Sequence, residues 1–225
     1  MTARVSPIVE QRARRSEGTS NEAILNMVMR ALEQRRLSGG CLADVGCGQG
    51  DLYGLVRSRF SRYVGLDAAR YEHFPEGAEF GQIDLDTGEI PMPANSADVV
   101  TAIEVIEHLE NPRDFMRKLV RLARPGGWVI VTTPNQLSLL SLVTLAVKHR
   151  FQAFQDIHYP AHLTALLEVD LRRIAGECGL EEIEISFSKS GRLPFTARYY
   201  PRALSLALPR RFSDNVLLIG RKSMN

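Results

Sequence analysis

Apolar positions along the chain follow two rhythms. Near the start, Ala23, Ile24, Met27, Val28, Ala31 and Leu32 recur at helical spacing, which predicts one helix with a single buried face. Thr19 and Glu22 stand at capping-box spacing, so the helix is expected to begin near Thr19. Residues 1–18 carry no such rhythm and read as a loose basic arm. From Cys41 onward, short apolar runs alternate with helical stretches. Strands are expected at 41–46, 62–67, 80–84, 98–103, 128–133, 180–187 and 215–220, and helices at 51–59, 111–123 and 168–178. Asn111 caps the second of these helices, with Pro112 at its first position. The segment Pro125-Gly126-Gly127 turns the chain into the fifth strand. Such alternation predicts an α/β fold: a mostly parallel, seven-stranded sheet with helices on both faces. The last two strands lack βαβ spacing, so an antiparallel edge strand is expected there.

Two stretches stand outside the alternation. Residues 136–150 hold eight apolar residues between Leu137 and Val147, with a narrow polar side of Ser138, Ser141, Thr144 and Lys148. Residues 192–212 mix Leu193, Phe195, Tyr199, Tyr200, Leu204, Leu206 and Leu208 with five arginines. Both lie where α/β folds place substrate caps. The expected organisation is an N-terminal arm and helix over 1–40, then one domain over 41–225 with cap insertions near 136–162 and 189–213.

Composition adds little to this picture and charge adds more. Hydrophobic residues make up 44% of the 225 and charged residues 24%, enough for a large core and too apolar for wholesale disorder. The net charge is only +2. Residues 189–225 hold eight Lys/Arg and one acid, a local +7, leaving −5 for the rest. An anionic partner is therefore to be sought at the C-terminal segment. Cys41, Cys47 and Cys178 form no CxxC pair, so neither a disulfide framework nor a structural zinc site is expected. The polar, Arg-rich start does not read as a secretory signal, and no run of 18 apolar residues occurs. The expected compartment is the cytoplasm, with membrane association through 192–212 held open.

The chemistry concentrates in Asp44-Val-Gly46-Cys-Gly48-Gln-Gly50, where a strand runs through three glycines into a helix. Such a loop lets a ligand approach the backbone and presents free N–H groups. Its spacing is not that of a dinucleotide loop, and the Asp44 carboxylate would repel pyrophosphate while suiting an ammonium or sulfonium. Asp67 ends the second strand and can accept from ribose hydroxyls. Asp84, near the end of the third, is placed to accept from an adenine amino group. A nucleoside with a cationic, amino-acid-like tail fits this set, and S-adenosylmethionine is such a molecule.

Over residues 40–188 the sequence resembles the class I S-adenosylmethionine-dependent methyltransferases, of the small-molecule type that includes ubiquinone-biosynthesis O-methyltransferases. The matching segments are 44–50, Val64-Gly-Leu-Asp67, Asp84-Leu85 through Pro91 and Pro93 to Asp98-Val-Val100, Ile103-Glu104-Val-Ile-Glu107-His108-Leu109, and Arg124-Pro-Gly-Gly127. The resemblance implies a Rossmann-like fold with Asp44, Gly46, Cys47, Gly48, Asp67, Asp84, Leu85 and Ile103 around the cofactor. The arginine that some members place near the methionine carboxylate has no clear match; Arg12, Arg14 and Arg15 are candidates.

A sulfonium methyl is already activated, so the protein must exclude water, align the acceptor and often take a proton. His108, His158 and His162 are the candidate bases, since a histidine titrates near neutral pH. Glu104, Glu107 and His108 form E-x-x-E-H, and with His162 they could ligate a divalent metal. RNA 3′-end 2′-O-methyltransferases look similar here and use one. The same motif occurs in metal-free relatives and no aromatic platform for bases is evident. No metal and no nucleic acid partner is therefore assigned. The expected activity is O-methylation of a small, hydrophobic or lipid-linked acceptor. The metal-dependent RNA enzyme and a non-catalytic, methyltransferase-like binding subunit are the alternatives.

Overall fold

A computed structural model describes residues 7–15 and 18–224. After a helix α1 (Pro7–Arg15) comes α2 (Glu22–Gln34). Its cap is Asn21 rather than Thr19: the Asn21 Oδ1 accepts from Ile24 N at 3.1 Å. The expected apolar stripe Ile24, Met27, Val28, Ala31 and Leu32 is buried.

Five strands follow in the expected order: β1 (Cys41–Val45), β2 (Arg62–Asp67), β3 (Glu79–Gln82), β4 (Ala97–Ile103) and β5 (Ala123–Pro134). Between them lie α3 (Asp51–Val56) and α4 (Pro112–Leu122). The Asn111 side chain caps α4 by accepting from Asp114 N at 3.0 Å. The glycine turn expected before β5 is absorbed into the strand as a bulge. Ala97 pairs with Ala123 and Val99 with Trp128, so the residues between bow out, with Gly126 at φ 74°. Then come α5 (Leu139–Lys148), α6 (Glu168–Glu177), β6 (Leu180–Phe187), α7 (Arg202–Ala207) and β7 (Asn215–Lys222).

The sheet order is β3-β2-β1-β4-β5-β7-β6. The first five strands pair in parallel, and β7 pairs antiparallel with both β5 and the edge strand β6. The seven-stranded, mostly parallel, Rossmann-like architecture with an antiparallel finish is thus present. Side-chain alternation along β1 divides the core. Cys41, Ala43 and Val45 face α4 and α6, while Leu42 joins Ile24, Met27 and Leu32 of α2 on the other face. The chain reverses direction across the sheet between β1 and β4, and that switch point is where such sheets open a crevice.

Candidate active site

The β1–α3 turn leaves the sheet at that crevice. Gly46, Gly48 and Gly50 all take positive φ, and a Cβ on Gly48 would run into the Gly18 carbonyl. Gln49 N donates to Gly18 O at 2.7 Å, so the segment entering α2 closes over the loop. Asp67 stitches the turn from the neighbouring strand: its Oδ2 accepts from Gly48 N at 2.9 Å and its Oδ1 from Ala69 N at 3.2 Å. Burial raises its pKa against the pull of these amide donors. Asp44 accepts from Thr101 Oγ1 at 2.6 Å and Tyr63 OH at 2.7 Å. Burial pushes its carboxyl up to about 6, against the pull of those two hydrogen bonds. A cation beside Asp44 would offset that cost of burial.

A cavity of about 1030 Å³ opens from this turn. Asp44, Gly46, Cys47, Gly48, Asp67, Leu85 and Ile103 all line it. The Cys47 thiol is buried, which pushes its pKa up and leaves it protonated. Asp84 is the exception. β3 stops at Gln82, and the Asp84 Oδ1 accepts from Asp86 N and Thr87 N at 3.0 and 3.2 Å. The carboxylate caps its own turn, and Leu85 and Asp86 reach the cavity in its place. Arg14, one candidate for a carboxylate contact, pairs with Glu10 at 2.8 Å; the side chains of Arg12 and Arg15 lie outside the described residues.

The same cavity continues to the three candidate histidines. His108 belongs to a 3-10 turn after β4. His162 is strapped to it: Leu163 N and Thr164 N both donate to Glu107 O, at 2.9 and 3.0 Å. The two rings meet edge to face at 4.6 Å, and His158 stacks on His162 at 5.5 Å. Their protonation patterns differ. The Nδ1 of His108 faces Ala161 O at 2.9 Å and that of His162 faces Ala153 O at 2.6 Å. A carbonyl only accepts, so each Nδ1 donates and each neutral ring keeps its lone pair on Nε2. His158 is the reverse, because its Nδ1 accepts from Gln155 N at 3.3 Å and its proton sits on Nε2. Burial lowers the pKa of His158 and His162; Arg192 adds to the first effect, and the nearby His158 to the second. Both rings are thus favoured in the neutral form.

Two buried acids stand beside the histidines. Glu104 holds φ 54° at the end of β4, a strained conformation for a non-glycine residue. Its Oε1 accepts from Thr132 Oγ1 and its Oε2 from Asn215 Nδ2, both at 2.9 Å. Glu107 is fully buried and its Oε2 accepts from Thr133 Oγ1 at 3.0 Å. Burial raises the pKa of both carboxyls.

The far wall holds residues that local spacing did not single out: Asn135, Gln136, Arg192, Asp214 and Asn215. Asn135 Nδ2 donates to Arg210 O and Ser213 O, each at 2.8 Å, and Arg192 pairs with Asp214 at 2.8 Å. These bonds tie the start of α5 to the 188–214 segment. The helix sits with its polar side inward: Ser138, Ser141 and Thr144 are buried, whereas Val147 is 61% exposed and Leu139 is exposed too. Leu140 is buried beside them, and Ser141 and Thr144 hydrogen-bond to Gln136 and Gln152 at the cavity wall.

A crevice at the switch point, a glycine turn and an acid closing β2 are the features that the resemblance to class I S-adenosylmethionine-dependent methyltransferases implies. The family model described as "Methyltransferase domain" matches residues 16–185, and the chain belongs to that family. It is 33% identical over 110 residues to a ubiquinone biosynthesis O-methyltransferase of Leptothrix cholodnii, covering 45% of this chain and 47% of that one. A protein of the same name from Thiobacillus denitrificans is 27% identical over 158 residues, covering 67% and 68%. The chain thus spans about half the length of several curated relatives that it matches at the higher identities. In fold it is similar to a SAM-dependent methyltransferase from Archaeoglobus fulgidus, with TM-score 0.63, 17% identity, and 88% and 94% of the two chains covered. Among the described residues no helix is long and apolar enough to cross a membrane.

Proposed function

We propose that the protein transfers the methyl group of S-adenosylmethionine to an oxygen of a small acceptor that is apolar or lipid-linked. One observation carries this reading: a single cavity runs from the glycine turn and Asp67 to His108, His158 and His162. Asp67 accepts from the ribose hydroxyls, Asp44 faces the cationic tail, and Gly46, Cys47, Gly48, Leu85 and Ile103 shape the slot. At the acceptor end, His162 presents a lone pair on Nε2 and His158 an N–H, with His108 edge-on to His162. The acceptor hydroxyl gives its proton to a histidine such as His162, its oxygen attacks the methyl carbon, the C–S bond breaks, and the electron pair returns to sulfur. Loss of the sulfonium charge along that path is favoured by a site shielded from water.

The rim supports the choice of acceptor. Phe195 is 74% exposed, and Tyr199, Leu204, Leu206 and Leu208 are exposed beside Arg198, Arg202, Arg210 and Arg211. An apolar surface carrying arginines suits an anionic membrane face, from which a lipid-linked acceptor could enter. Methyl-labelled cofactor should be offered with phenolic acceptors with and without isoprenoid tails, and with short RNA. Transfer to tailed phenols is the expected result. Transfer to RNA alone would overturn the reading in favour of an RNA enzyme, and cofactor binding without turnover on any acceptor would favour a binding subunit.

A further inference from the structure

The main cavity alone does not account for the inward-turned polar side of α5. Ser138 and Ser141 line that cavity, but Thr144 and Lys148 do not. Leu140, Thr144 and Lys148 stand at i, i+4 and i+8 and so share one face of the helix. Together they form one wall of a second cavity of about 320 Å³. The 192–197 loop forms another wall, through Arg192, Leu193, Phe195, Thr196 and Ala197. The two cavities adjoin, since Leu140, Gln152 and Arg192 line both.

The chemistry of the second cavity is one-sided. Lys148 and Arg192 are cations, and none of its lining residues among those described is acidic. Its side-chain acceptors are already engaged. Gln152 Oε1 accepts from Gln155 Nε2 at 3.0 Å and lies 3.1 Å from Thr144 Oγ1, and Gln155 Oε1 accepts from Lys148 Nζ at 3.0 Å. Thr196 Oγ1 donates to Leu193 O and accepts from Arg198 N. Donors are left over. An ammonium carries three hydrogens, and Lys148 gives one of them to Gln155. Asp214 accepts from Arg192 Nε at 2.8 Å and from Arg192 N at 3.2 and 3.3 Å. Both terminal nitrogens of that guanidinium have no hydrogen-bond partner among the described residues. Asp214 lines the main cavity and not the second, so no carboxylate of the second cavity competes for these donors. A guanidinium anchored through Nε presents a fork that matches two oxygens of a carboxylate or a phosphate.

We propose that the second cavity holds a carboxylate or phosphate of the methyl acceptor, bound by Arg192 and Lys148, while the reacting hydroxyl lies in the main cavity. This rests on the methyl-transfer reading and makes the acceptor an acidic amphiphile. Its anion meets the two cations, and its apolar body passes Leu140, Leu193 and Phe195. Neither cation makes or breaks a bond; they set which acceptor is held. Because Arg192 borders both cavities, an anion on it also fixes how far the hydroxyl reaches toward the cofactor.

Binding to protein loaded with S-adenosylhomocysteine tests the site without turnover. The probes are phenols on one alkyl chain that ends in a carboxylate, a phosphate or a neutral hydroxyl, titrated by calorimetry. An anionic probe should bind at least about tenfold more tightly than the neutral one, as expected of a charged hydrogen bond. The tighter of the two anions identifies the group. Lys148→Gln and Arg192→Gln should each remove most of that preference, whereas Arg173→Gln, exposed on α6, should keep it. Each variant is first shown to keep its thermal shift with S-adenosylhomocysteine. Lys148 is exposed and its ammonium bonds Gln155 alone among the described residues, so its replacement tests the cavity even where Arg192→Gln does not fold. Equal affinity for all the probes would overturn the proposal. So would a preference kept in Lys148→Gln or in folded Arg192→Gln, or lost equally in Arg173→Gln. Methyl transfer is then assayed on the same probes. An anion preference in binding with no turnover leaves the anion site standing and removes the methyl-transfer reading. Turnover on the neutral probe with no anion preference leaves methyl transfer standing and removes the anion site.

Discussion

The two ends of the cavity are built on different principles. Around the glycine turn, the bonds from Gly48 to Asp67 and from Tyr63 to Asp44 each span 19 residues, and that from Thr101 to Asp44 spans 57. At the acceptor end the spans are 53 residues from His108 to Ala161, 78 from Asn135 to Ser213 and 111 from Glu104 to Asn215. The first is an adjacent strand–turn unit repeated across a parallel sheet. The second exists only after β7 has inserted beside β5 and brought Asn215 against the end of β4. The acceptor end therefore depends on loops brought together from far apart in the chain.

The largest expected effect lies at the cofactor end and depends on pH. The Asp44 carboxyl rises from 3.8 to about 6 on folding, so the folded chain holds that proton more tightly than the unfolded one. Its stabilising contribution is full below about pH 4 and is lost as pH climbs to about 6, a change of about 3 kcal/mol. In cofactor-free protein, Asp44→Asn should gain stability relative to wild type across that window, read from urea unfolding at each pH. A difference that stays flat with pH would show that Asp44 is not strained by burial.

Next comes Asp67→Ala, which removes both the stitch to Gly48 and the proposed acceptor for the ribose. Cofactor affinity should fall by about 1–3 kcal/mol by calorimetry. An unchanged dissociation constant would erase the distinction between the two ends.

The acceptor end is probed by reversing α5. Ser141→Leu puts an extra side chain against a packed polar wall and should cost about 1–3 kcal/mol of stability. Val147→Ser, on the exposed side, should change stability by less than about 0.5 kcal/mol. The opposite ranking in thermal unfolding would mean that the helix presents its apolar face inward after all.

The smallest effect is expected on the rim. Leu206→Asp should leave turnover on a water-soluble acceptor near the wild-type rate while reducing co-sedimentation with anionic vesicles. Equal co-sedimentation of the two proteins would place any membrane contact elsewhere.

Much of this was legible from the chain alone. Apolar alternation located all seven strands; β1, β2, β4 and β7 are short and mostly buried, whereas β3 and β6 at the two sheet edges are largely not. The glycine turn was legible because its three glycines follow β1 directly, and Asp67 ends the neighbouring β2 where it accepts from Gly48 N. The Asp84 expectation failed where the strand stopped two residues early and the carboxylate found closer amide donors in its own turn. The pattern of α5 did not show which face turns inward, because apolar count marks the buried face only when the wall opposite is apolar, and here that wall includes Gln136 and Gln152.

Local patterning by itself determined the element order and the glycine turn, and the strand–helix alternation implied a parallel sheet, since these follow from the periodicity and turn residues of each segment. Tertiary structure alone decided which ring nitrogens carry protons, that Glu107 keeps an unmatched oxygen, and that α5 turns its hydroxyls inward. Those properties depend on which distant backbone groups arrive beside a side chain, and periodicity in a sequence carries no record of that.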